Sequence, residues 1–334
     1  MIPPARLPPA VRPGDRVGIA ALSGPVDPER LTRGLAALRR MGFDPVPAAN
    51  LASKSGLFAG NDAARLAAFH ELAADPTLGA IVFARGGYGV MRLLPAIDWD
   101  LLARRPRAYV GYSDLTPFLL EVVRRLGLVA FHGPMVAADL ARGLDPMEEE
   151  SFLGALAGRY PVAHPFARSL RGGDARGPLL GGCLSLLTAT LGTPYFPDLA
   201  GAILFWEDVD EPPYRLDRML THLRLSGSLA ALQGMIVGHL DGAGKSPSSG
   251  LPSPGGEAAG GDPGEHAASP SAVALPALPE LPTLPALIME SVAGFAWPLA
   301  WGLESGHRAP NRTLPLGSAA RLDAAAALLV LGEG

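Results

Sequence analysis

Short apolar runs alternate with longer amphipathic stretches along roughly the first 135 residues, and this alternation predicts a parallel sheet with crossover helices. RVGIAAL (16–22), AIVFA (80–84), AYVGY (108–112) and LVAF (128–131) are strand-sized. Asp27-Pro28-Glu29 reads as the N-cap, first-turn proline and first-turn acid of a helix that Gly42 stops. Asn61-Asp62 opens a second helix running through Leu72, and another follows Ser113-Asp114 and ends near Gly127. Three successive strand ends carry unusual residues: Arg85-Gly86-Gly87-Tyr88-Gly89, Gly111-Tyr112-Ser113-Asp114 and His132-Gly133-Pro134. Functional groups of such sheets gather at the carboxyl ends of the strands.

Past residue 140 the periodicity weakens to a short helix near 148–157 and a Gly-rich connection. LLGGCLSLLTATLG (179–192) reads as a buried helix, AILFW (202–206) as a strand ending at Glu207, and GMIVGHL (234–240) as another strand. In EPPYRLDRMLTHLRL, Leu216, Met219, Leu220 and Leu223 fall on one helical face. RTLPLG and ARLDAAAALLVL read as closing strands of a second domain. The expected organisation is an N-terminal α/β domain over 1–160 and a C-terminal domain over 175–334. A Gly/Pro/Ser-rich stretch at about 241–284 has no periodicity and reads as a disordered insertion.

A length of 334 residues fits two domains, and a formal net charge of −4 without a basic stripe argues against nucleic acid as a partner. The single cysteine, Cys183, excludes an internal disulfide framework. No apolar run reaches membrane-spanning length, and the first residues lack the charged and apolar regions of a secretory signal. A cytoplasmic protein with no membrane partner is the expectation.

Ser113 stands where a strand meets a helix, a junction that exposes a side chain beside the helix's first free N–H groups. Capping of that helix by Ser113-Asp114 is the competing reading, since Leu115 replaces the second glycine of a GxSxG elbow. Gly86 and Gly87 allow close approach of backbone to a ligand and supply N–H donors, or simply make a tight turn. His307, in the polar loop GLESGHRAPNRTLPLG, is the best-placed candidate base, with His132 as a competitor expected to be structural and bonded to backbone. Glu207 is the candidate acid; Asp208, Asp210 and Glu211 lie beside it, the last two as possible caps of the following helix. No zinc-type histidine pairing occurs, so a metal is not expected.

Seven segments, taken together, resemble the LD-carboxypeptidase family of serine peptidases, which includes the microcin C self-immunity proteins. They are RPGDRVGIAA, FARGGYGVMRLLPAIDWD, YVGYSDLTPFL, FHGPM, LLGGCLSLLTATLGTPYFPD, ILFWEDVDEPPYRLDRMLTHL and SGHRAPNRTLPLG. The resemblance implies a Ser–Glu–His triad of Ser113, Glu207 and His307, with an oxyanion hole from the backbone of Gly87, Asp114 and Gly86. It implies a parallel-sheet N-terminal domain similar to class I glutamine amidotransferases, a smaller β-rich α/β C-terminal domain, a site between them, and a homodimer. The implied reaction removes the C-terminal D-alanine from muramoyl tetrapeptides in peptidoglycan recycling, through an acyl-enzyme and without a cofactor. Arg85 or Arg308 is the expected partner of the substrate carboxylate. The alternative is hydrolysis of peptidyl or aminoacyl nucleotide analogues, which needs an aromatic platform such as Trp206. Cys183 departs from the asparagine frequent in the family's GGN-L segment, and the 241–284 insertion is longer than the usual connection.

Overall fold

The computed structural model describes residues 5–242 and 283–332. The expected insertion lies almost wholly outside the described residues. The chain begins with β1 (Arg16–Ala20), α1 (Pro28–Arg40), β2 (Asp44–Pro47), α2 (Asp62–Ala74), β3 (Leu78–Phe83), α3 (Trp99–Arg104), β4 (Ala108–Gly111), α4 (Thr116–Leu126) and β5 (Ala130–His132). The helix starts follow local chemistry. The side chains of Asp27 and Asn61 accept the N–H of Arg30 and Ala64, satisfying donors that a helix's first turn cannot. Strands β5-β4-β3-β1-β2 are parallel in that order, so the winding of the chain across the sheet changes sides between β1 and β3, and the RGGYG loop leaves the sheet at that switch.

α5 (Pro146–Leu156) leads into the second half: β6 (Val162–Arg171), β7 (Asp174–Cys183), α6 (Leu184–Ala189), β8 (Ile203–Val209), α7 (Pro213–Leu225) and β9 (Gly234–Asp241). After the undescribed stretch come α8 (Leu284–Ser291), β10 (Leu299–Leu303), β11 (Leu314–Leu316), β12 (Ala319–Asp323) and β13 (Leu328–Leu331). Seven strands close a barrel in the order β10-β6-β13-β12-β7-β8-β9. The architecture is therefore a parallel-sheet N-terminal domain followed by a smaller β-rich one.

Four expectations are corrected. The weak stretch before 180 holds β6, and the first part of LLGGCLSLLTATLG is the end of β7, not helix: Leu179–Cys183 pairs in parallel with Ile203–Glu207. That pairing is remote in sequence, so no local period announces it. RTLPLG is not a strand of the second domain, because β11 pairs antiparallel with β5 and extends the first sheet. Glu207 lies inside β8, at a bulge between Trp206 and Asp208, rather than after the strand. β11 follows directly on the His307 loop, so that loop passes between the two sheets.

Candidate active site

Ser113 leaves β4 with φ +62°, a left-handed conformation that is uncommon for a residue with a side chain. A 3₁₀ turn over Ser113–Leu115 then enters α4. The Asp114 carboxylate is buried and accepts from Ser23 Oγ (2.6 Å) and the Val90 N–H (2.9 Å), tying the loops after β1 and β3 to this turn. Gly86 packs directly on the serine: a Cβ placed on it would fall 2.9 Å from Ser113 Cβ and 3.0 Å from Oγ. Only glycine leaves room there.

His307 comes from the other side. Its Nε2 lies 2.9 Å from Ser113 Oγ, and its Nδ1 lies 2.6 Å from Glu207 Oε2. Glu207 is fully buried, and Gly306 (φ +134°) clears space for it, since a Cβ there would sit 2.8 Å from Oε2. The structure thus brings Ser113, His307 and Glu207 into one hydrogen-bonded chain, spanning two sheets and nearly two hundred residues.

The neighbouring carboxylates are engaged elsewhere. Asp208 accepts the Ser185 N–H (2.8 Å) at the start of α6 and sits 3.6 Å from Cys183 Sγ. Glu211 pairs with Arg215 (2.8 Å), and no side chain caps α7, so the expected caps are absent there. His132 is buried, as a structural histidine should be, but neither ring nitrogen is bonded to backbone. It packs edge-on against Phe205 (5.0 Å), and burial pulls its pKa down to about 3. Cys183 is buried too, and burial beside Glu207 and Asp208 pushes its thiol well above the ordinary range.

For His307, burial lowers the pKa, but the charge and hydrogen bond of Glu207, with Asp208 and Asp139 behind, outweigh it; the net shift is upward. Tyr112 meets the imidazole edge-on at 5.0 Å. The loop carrying His307 is clamped from the N-terminal side. Asn311 Oδ1 accepts the Gly306 N–H (3.0 Å), while the Asn311 N–H donates to Glu148 Oε1 (2.6 Å). Glu148, fully buried, also accepts the Asp145 N–H (2.9 Å) in a capping box and is bound by Arg142.

A cavity of about 400 Å³ opens over Ser113 and His307; Gly86, Gly87, Arg85 and Arg30 are on its walls. Arg85 is anchored to the Pro25 carbonyl (3.0 Å). Arg308 does not line this cavity; it donates to His239 Nδ1 (3.0 Å). Arg30, which sequence reasoning passed over, enters because its backbone is fixed by Asp27 in the first turn of α1; nothing local marks it out from a surface arginine. Trp206 is wholly buried and forms no part of the cavity wall. Among the described residues no group of three or more histidine, cysteine, aspartate or glutamate side chains is arranged to hold a metal ion. Among them, too, no helix is long and apolar enough to cross a membrane.

The LD-carboxypeptidase N-terminal domain matches residues 17–133, and the LD-carboxypeptidase C-terminal domain matches residues 176–255. The probable murein peptide carboxypeptidase of Bacillus subtilis is 39% identical over 236 residues, 69% of this chain and 73% of the relative. The muramoyltetrapeptide carboxypeptidase from Oxalobacter formigenes has a solved structure similar over 95% of this chain and 97% of its own, with 28% identity and a TM-score of 0.77. The fold is shared with MccF solved in complex with glutamyl sulfamoyl guanosine: TM-score 0.82, 22% identity, 99% of both chains.

Proposed function

We propose a specific reaction for this chain, which belongs to the LD-carboxypeptidase family and acts as a serine carboxypeptidase: removal of the C-terminal D-alanine from a muramoyl tetrapeptide. The observation that carries the mechanism is the continuous path Ser113 Oγ–His307 Nε2, His307 Nδ1–Glu207 Oε2. His307 takes the hydroxyl proton as Ser113 Oγ attacks the scissile carbonyl carbon. Glu207 fixes the tautomer that leaves Nε2 free to accept, and its charge stabilises the imidazolium that forms. The developing oxyanion is received by backbone N–H groups of Asp114 and of the Gly86-Gly87 turn. Collapse breaks the C–N bond, and the proton held by His307 passes to the leaving amine of D-alanine. Water, deprotonated by the same imidazole, then attacks the ester and releases the shortened peptide and free Ser113. Each group ends as it began, so the cycle balances without a cofactor.

Arg85 and Arg30, both on the cavity wall, supply positive charge for the substrate's terminal carboxylate. Arg308, drawn off to His239, is dropped from that role. Trp206, the aromatic suggested as a platform for the nucleotide reading, is buried and does not line the cavity, while the similarity to MccF keeps that reading as the alternative. A cytoplasmic homodimer working on recycled wall peptides is the setting this reading expects.

The direct test is D-alanine release from a muramoyl tetrapeptide by the wild type and by Ser113→Ala. Release by the wild type alone is expected. Equal release by both proteins would remove Ser113 as nucleophile. Release by neither, with turnover of an aminoacyl sulfamoyl nucleotide, would overturn the peptide reading.

A further inference from the structure

His239 stands at the end of β9, outside the path of proton transfer but next to both of its barrel-side members. β9 runs parallel to β8 and pairs Val237 with Trp206 and Leu240 with Asp208, so Gly238 and His239 lie against the bulge that carries Glu207. A Cβ on Gly238 would fall 2.5 Å from the Ser305 carbonyl oxygen and 3.1 Å from Glu207 Cβ. This strand end thus packs on the acid and on the start of the loop that carries the base. His239 holds that loop at three points. Its backbone N–H donates to the Ser305 carbonyl (3.0 Å), its ring Nε2 lies 2.9 Å from the Pro310 carbonyl, and its Nδ1 accepts from Arg308 Nη2 (3.0 Å). The three partners bracket His307 on both sides.

The partners also define the state of the ring. A carbonyl oxygen only accepts and a guanidinium only donates, so Nε2 carries the hydrogen and Nδ1 is bare. Burial lowers the pKa of this ring and outweighs the bond to Pro310, which keeps the imidazole neutral at neutral pH. The buried residues before it on the strand are Met235, Ile236 and Val237, all apolar. An imidazole among them costs desolvation that only its hydrogen bonds offset, and both ring bonds go to the base loop. We propose that His239 is a positioning residue for the base: its Nε2–H bond to the Pro310 carbonyl, with Arg308 steadying the ring from the other side, keeps His307 in line with Ser113 and Glu207. His239 does not line the cavity over Ser113, so it acts through His307 and not on the substrate. The inference rests on His307 acting as the base, whichever substrate is cleaved.

The rate constant for labelling of Ser113 by a fluorophosphonate tests it in the full-length protein, because the probe needs the base but no peptide. The final extent of labelling reports the folded fraction separately. His239→Phe keeps a ring and loses both side-chain bonds, and its rate constant should fall at least about tenfold, the scale of a misplaced base. In His239→Gln the amide nitrogen takes the place of Nε2 and can still donate to Pro310, so the rate constant should return to within about threefold of the wild type. His239→Asn reaches only the Nδ1 position, keeps the Arg308 contact and should remain at least about fivefold slow, which decides the question if the phenylalanine variant does not fold. A side chain that merely filled the barrel would not order two amides by their reach. Rate constants within about twofold of the wild type in the phenylalanine and asparagine variants, or a glutamine variant as slow as the phenylalanine one, would overturn the inference and leave the base in place. Labelling of His307→Ala at the wild-type rate would remove the base itself, and the inference with it.

Discussion

Ser113 and His307 meet at 2.9 Å but are placed by opposite means. The serine is set by its own stretch of chain: strand end, left-handed turn, helix start, with Gly86 packed against it. The histidine sits on a loop between two sheets, and contacts from far away in sequence hold it: Glu207 from the barrel, and Glu148 through Asn311 from α5. Local geometry is hard to perturb except by steric intrusion, whereas a loop held at a distance can be released one hydrogen bond at a time. The two halves should therefore fail differently when mutated.

The largest effects come from removing either end of the contact. Ser113→Ala and His307→Ala should each lower kcat by about 10⁶-fold, and the double variant should be scarcely worse, because the groups act as a unit. Losses that multiplied in the double variant would mean that the two residues work independently. On the nucleophile side, Gly86→Ala drives a methyl group to within 2.9 Å of Ser113 Cβ. The turn must shift, and we expect kcat to fall by about 10²–10³-fold, the scale of a lost oxyanion donor or a misplaced nucleophile. A fluorophosphonate probe should label this variant correspondingly slowly.

On the base side the loss should be smaller and should grade with chemistry. Asn311→Ala removes the acceptor of the Gly306 N–H, and kcat should fall by about 10- to 10²-fold with little change in KM. Glu148→Gln keeps the shape and an acceptor for the Asn311 N–H, so activity should be lost less than in Glu148→Ala, which leaves buried donors unpaired. Equal loss in the two would show that charge, not loop position, is what Glu148 supplies.

The same contrast explains what could be read before the fold was seen. The N-terminal strands and helices were legible because their signals are local: alternation of apolar runs, the caps Asp27 and Asn61, the breaks at Gly42 and Gly127. β6 and the end of β7 were not, since barrel strands are defined by pairing with distant partners, and Leu179–Cys183 has an apolar spacing that suits a helix equally well. β11 was assigned to the wrong sheet for the same reason. Residue types and motif loops offered Ser113 and His307 and left Glu207 among Asp208, Asp210 and Glu211; the family resemblance singled out the three together. The Asn311–Glu148 clamp and the entry of Arg30 into the cavity exist only in three dimensions.

The finest test of the distant hold on His307 is electrostatic. The base must be neutral to accept a proton, and its pKa is raised, chiefly by Glu207 working against burial. The acid limb of kcat/KM should therefore have its midpoint above the ordinary imidazole value of about 6.5. His132 and His164, with pKa values near 3 and 4, stay neutral through that range and cannot produce the limb. Stability runs the other way. A raised pKa in the folded chain means that protonated His307 is favoured by folding, so the Glu207–His307 contribution is fully present below about 6.5 and is lost as pH rises through the folded value. Activity should thus rise across the window in which this ion pair stops stabilising the loop. In Glu207→Gln the charge is gone, so the acid limb should move to lower pH even as kcat falls. A limb that stayed in place would transfer the raised pKa to Asp208 and Asp139, the other carboxylates that act on this imidazole.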